Sequence, residues 1–147
     1  MPSGYLLFAL AAGVMLPFQA GINAQLSTWV GSPVRAALVS FAVGTAALAA
    51  LTVALFRGWP DGEQVADAPW WVWIGGLLGA FYVAGSIVAA PRLGAVTLVA
   101  VILAGQAVAS VVVDHYGWVG FDEHPFSLGR LAGIALVAAG VALVRFT

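Results

Sequence analysis

A chain of 147 residues with 63% hydrophobic and only 7% charged side chains cannot cover a globular surface, since soluble domains carry about 25% charged residues. A mean hydropathy of +1.04 makes the lipid bilayer its solvent. Five arginines, no lysine and a formal net charge of −1 exclude a nucleic-acid partner held through its phosphates, and the absence of cysteine excludes disulfides and thiolate chemistry.

The first apolar segment covers about residues 4–25. No basic residue precedes it and it outlasts a signal-peptide core, so it is expected to stay as a span. Its later half carries Pro17, Gln19, Asn23 and Gln25 where a lipid-facing helix would carry Leu or Val. Met15, Gln19 and Asn23 recur at spacing four and share a face. Pro17 deprives the Gly13 carbonyl of its partner, which predicts a kink. Two carboxamides one turn apart offer four N–H donors and as many acceptor lone pairs, more than interhelical contacts need. Gln19 and Asn23 are therefore the leading candidates for binding a polar solute, with Trp29 near the mouth of that site. Residues 27–33 read as a turn-rich connection.

The second segment, 34–56, has Pro33 at its start and carries Ser40 and Thr45 around Gly44. These hydroxyls, with Thr97 and Ser110, read as hydrogen-bonding contacts between helices. A polar loop occupies 57–69. The third segment, 70–90, opens on Trp70, Trp71 and Trp73, an aromatic cluster suited to the membrane–water boundary. Gly75 and Gly79 then give a small-xxx-small pair for helix packing, and Tyr82 and Ser86, four apart, are secondary binding candidates. Residues 91–94 form a tight connection. The fourth segment, 95–113, places Gln106, Ser110 and Asp114 on one stripe. Gln106 joins the binding candidates, and Asp114 with His115 at the boundary are candidates for ion or proton coupling. A second polar loop ends at Ser127, a helix N-cap, before the fifth segment at 128–144. Gly129, Gly133 and Gly140 suit that last helix to packing or dimerisation.

The fold expected is all-α: an integral membrane protein with five transmembrane helices in a single domain, 1–147. No HExxH, GxSxG or P-loop pattern occurs and no carboxylate lies mid-membrane, so no enzyme, cofactor or metal site is expected. An odd number of spans puts the termini on opposite sides. The N-terminal side, called side A, would hold Arg57 and Arg130, and side B would hold Arg35, Arg92 and Arg145. The positive-inside rule has little to act on, which leaves insertion in both orientations, the favoured reading, beside a weak preference for side B in the cytoplasm.

The first-helix run LPFQAGINAQL (16–26) and the pattern Gly105-Gln106, Ser110, Asp114-His115, Gly117, Arg130, Gly133, Gly140 resemble the YdcZ-like branch of the drug/metabolite transporter superfamily. That resemblance spans essentially the whole chain. It implies a multi-pass protein of the inner membrane that pairs with a second copy, or with a paralogous five-helix chain, into a ten-helix antiparallel assembly. It also implies a small-molecule substrate moved by alternating access. The related small multidrug resistance transporters use a membrane-embedded glutamate on their first helix. Here Gln19 and Asn23 stand in that region instead, which suits a small polar or zwitterionic solute better than a cationic drug. The competing expectation is a non-transporting scaffold whose polar residues serve only helix packing.

Overall fold

A computed structural model describes residues 2–56, 58 and 62–146. Arg57 and Asp61, at the start of the first polar loop, lie outside the described residues, as do Trp59 and Pro60. The described elements are all helical: α1 (Pro2–Val30), α2 (Pro33–Leu55), a short α3 (Gly62–Ala66), a 3-10 turn at Trp70–Ile74, α4 (Gly75–Tyr116), a 3-10 turn at Trp118–Gly120, and α5 (Leu128–Phe146). Among the described residues, four stretches are long and apolar enough to cross a membrane: Gly4–Val30, Pro33–Leu55, Trp70–Tyr116 and Leu128–Phe146. The expected third and fourth segments thus form one helical stretch, interrupted at Gly94, whose φ of 74° and ψ of 165° are not helical. That conformation is all but confined to glycine.

The chain divides into two compact units, Met1–Pro91 and Arg92–Thr147. In the first unit, α1 runs past the expected end at residue 25 to Val30. The Ser27 and Thr28 hydroxyls, expected in a turn, donate instead to the carbonyls of Ala24 and Gln25, both at 2.7 Å, within the last helical turn. Back-bonding of this kind removes the hydroxyl from competition with the helix. The reversal into α2 is made by Gly31 (φ 74°) and Ser32, with Pro33 at the first helical position. Arg35 Nη1 donates to the Val30 carbonyl at 3.3 Å, satisfying an acceptor that the end of α1 leaves free.

Small residues bring the first-unit helices together. Ala36 and Ala37 of α2 are buried against Val83 and Ile87 of α4, with Leu26 and Val30 of α1 and Tyr82 packed around them. In lipid this cluster gains little from the hydrophobic effect, because hydrocarbon tails are as apolar as its side chains. Close van der Waals contact holds it. Gly79 belongs to the same packing, since a Cβ there would stand 3.5 Å from the Phe41 ring.

In the second unit, the remainder of α4 ends at Tyr116, and Gly117 (φ 60°) turns the chain out of the helix. Ser127 caps α5 as expected. Its Oγ accepts the Arg130 N–H at 3.2 Å and its carbonyl accepts the Leu131 N–H at 3.1 Å.

Candidate functional site: a groove between the first two helices

The spacing-four row on α1 opens onto a groove in the first unit. Met15, Phe18, Gln19, Ile22, Asn23 and Leu26 of α1 face Val39, Ser40 and Val43 of α2 around a cavity of about 530 Å³. Small-molecule sites occupy about 300–1,000 Å³, so this one is ligand-sized. Most of its lining is apolar, none of it is charged, and Gln19, Asn23 and Ser40 supply the polar groups. Gln19 and Ser40 also line a neighbouring cavity of about 210 Å³, with Phe41, Gly44, Thr45, Leu48 and Val83. The two residues thus form a polar partition between an apolar groove and a smaller recess.

Asn23 is 4% exposed, and its amide nitrogen has no hydrogen-bond partner. An unsatisfied buried amide costs about 1–3 kcal/mol. Beside it on α1 the groove lining is hydrocarbon or thioether except Gln19, and Ser40 is the polar residue on the α2 side.

The hydroxyls sort into two groups. Ser27, Thr28, Ser86 and Ser110 each donate to the carbonyl three residues back, at 2.7–3.0 Å. Among the described residues, Ser40 and Thr45 have no such bond and keep their hydroxyls free for a partner in the cavities they line. Ser40, expected as a contact between helices, also lines the groove. The sequence signal available was its position beside Gly44, one turn away on the same face.

The other candidates lie elsewhere. Ser86 is buried and its hydroxyl is engaged by the Val83 carbonyl at 2.8 Å. Tyr82 is half-buried against the Ala36–Ile87 cluster, and Trp29 is 86% exposed. None of these three lines the groove. Gln106 is exposed on the second-unit part of α4. Asp114, in that unit, pairs with Arg130 at 3.3 Å. His115 Nδ1 accepts the Phe126 N–H at 3.3 Å while its ring stacks on Phe126 at 4.0 Å. Of the packing glycines, Gly129 lies 3.9 Å from Ser127 Oγ at the Cβ position, while Gly75, Gly133 and Gly140 face open space.

The long apolar helices define the class, a multi-pass integral membrane protein. Residues 4–143 match the family described as "Putative inner membrane exporter, YdcZ", and the chain belongs to that family. It is 29% identical over 143 residues to the inner membrane protein YdcZ of Escherichia coli (strain K12), covering 95% of this chain and 93% of that protein. No solved structure matches the chain. The family resemblance and the inner-membrane location expected from the sequence are both borne out, and the family's class is that of a membrane exporter rather than an enzyme.

Proposed function

We propose that the chain is a transporter subunit of the drug/metabolite type. It crosses the membrane five times, assembles antiparallel with a second copy or a paralogous five-helix chain, and moves a small polar or zwitterionic solute by alternating access. The observation that carries the site is the buried, unpartnered amide of Asn23 in a ligand-sized groove. A polar group left unpaired inside a membrane helix is costly, which supports a polar partner in the groove.

Two further observations support the rest. At ~1.5 Å per residue the 42 residues of α4 would extend about 63 Å, twice the hydrocarbon thickness, and the break at Gly94 divides them into two lengths that each suit one crossing. The near-even arginine distribution leaves insertion orientation almost undetermined, as an antiparallel pair requires. Two oppositely inserted copies exchange equivalent conformations, so inward- and outward-open states lie close in energy.

Solute flux into proteoliposomes tests the site. Gln19→Leu and Asn23→Leu should each abolish flux while leaving the detergent-solubilised assembly unchanged in size. Wild-type flux from both variants would remove the groove from the transport path.

A further inference from the structure

We propose that the α1–α2 groove selects an uncharged amphiphile. A polar group of this molecule hydrogen-bonds the Asn23 carboxamide, a second is held between Gln19 and Ser40, and the apolar remainder lies along Met15, Phe18 and Ile22. This rests on the transporter reading for the use of the groove and narrows its ligand to one chemical class.

Three features of the groove set that class. The polar groups on the groove wall, the Asn23 and Gln19 carboxamides and the Ser40 hydroxyl, both donate and accept, so the ligand must bring uncharged hydrogen-bonding groups to meet them. The lining carries no charge and a single aromatic ring, Phe18. An ammonium group would find neither a carboxylate nor an aromatic cage, and a carboxylate would find no arginine or lysine. A zwitterion would fail on both counts. The free Ser40 hydroxyl stands on the opposing helix from Asn23 and, unlike the back-bonded Ser27, Ser86 and Ser110, can both donate and accept. Water alone is a poor occupant, because a wet site needs several polar partners for each molecule and most of this lining is hydrocarbon.

The chain has no cysteine, so Val43→Cys places one thiol on the groove wall. The full chain is held in discs of ether-linked phospholipid, which lacks ester carbonyls, and the rate of modification by N-ethylmaleimide is followed. The probes are N-(2-hydroxyethyl)hexanamide, hexyl(2-hydroxyethyl)dimethylammonium and 6-aminohexanoate. The neutral amide should slow modification saturably, with the cation and the zwitterion needing at least about tenfold higher concentrations. Adding Asn23→Leu should raise the amide concentration needed by about tenfold, and Ser40→Ala by about threefold, with the unprotected rate unchanged as the sign of an intact groove.

Equal protection by the cation, or amide protection that survives Asn23→Leu, would overturn the assignment. So would a thiol that is unreactive in the discs yet reacts at the same pH once the chain is moved into short-chain detergent, because a lipid chain or a second copy would then fill the groove. Protection by ester-linked lipid alone would make the bilayer lipid the occupant. Flux measured in parallel separates the two proposals. Selective protection without flux of the amide removes transport and keeps the ligand class. Flux of the cation without selective protection removes the ligand class and keeps transport.

Discussion

Arg130 shares one guanidinium nitrogen between the Asp114 carboxylate at 3.3 Å and the His124 carbonyl at 3.1 Å, while the His124 N–H returns to the Asp114 carbonyl at 2.7 Å. These bonds pin the 117–127 loop across the ends of α4 and α5. The candidate coupling residues are therefore already engaged, Asp114 through one carboxylate oxygen to Arg130 and His115 through the Phe126 N–H. Both partners of the pair are about a third exposed, so the ion pair with its hydrogen bond contributes about 1 kcal/mol. Arg130→Gln should raise the hydrogen-exchange rate of the His124 amide about fivefold and leave the α2 amides unchanged. Gly117 is a harsher position in the same loop. Its φ is +60°, and a Cβ would stand 2.7 Å from Glu123 Cγ and 3.3 Å from the Phe121 carbonyl oxygen. Gly117→Ala should cost about 1–2 kcal/mol, read as a lower melting temperature in detergent. Adding Glu123→Ala should recover only part of it, because the backbone strain remains. The Asp114–Arg130 pair was not legible in the sequence, since sixteen residues and a loop separate its members. Gln19 and Asn23 were legible, because helical spacing alone puts them on one face. Ser40 was not, because sequence cannot say which hydroxyls fold back onto their own helix.

At the scale of elements, the spans were readable from hydropathy and their ends were not. The Ser27–Thr28 run has the composition of a turn, yet both hydroxyls are absorbed by helix carbonyls and α1 continues to Val30. Proline was also an uncertain guide. Pro17 and Pro91 both lie inside helices, and among the described residues of α4 the non-helical backbone falls at Gly94, three residues after Pro91. Losing one hydrogen bond is tolerable inside a membrane helix whose neighbours and local adjustments re-satisfy the carbonyl, whereas a φ of 74° with a ψ of 165° is costly for any residue with a Cβ. Gly94→Ala should destabilise the chain by about 1–3 kcal/mol, visible as a lower melting temperature and lower yield from membranes. Gly133→Ala is the matched control. A Cβ at Gly133 meets nothing within 4 Å and helical alanine is favourable, so the isolated chain should not lose stability. If Gly133→Ala nonetheless weakens the purified assembly, that α5 face is packed against the first unit or another chain.

For the whole molecule, the sparse interior bears directly on assembly. The most apolar windows of α1 and α2 are 6% and 0% buried, so the first unit leaves their surfaces for lipid, the rest of the chain or another chain. The proposed antiparallel pair makes a prediction that a parallel pair does not. Side A would carry Arg57 and Arg130 against Arg35, Arg92 and Arg145 on side B, a bias small enough for a few loop substitutions to decide. Glu63→Lys, Gln64→Lys and Asp67→Lys together give side A the basic majority and should fix one orientation. Arg57→Gln deepens the side-B majority and should fix the other. Reporters on either terminus of the wild-type chain should give signal from both sides of the membrane, and each variant from one side only. Neither variant alone should support flux, because all its copies insert the same way. Co-expression of the two should restore flux to near the wild-type level. Flux from a single fixed-orientation variant would show that parallel copies suffice, and the inverted pair would have to be abandoned even with the groove and its ligand intact.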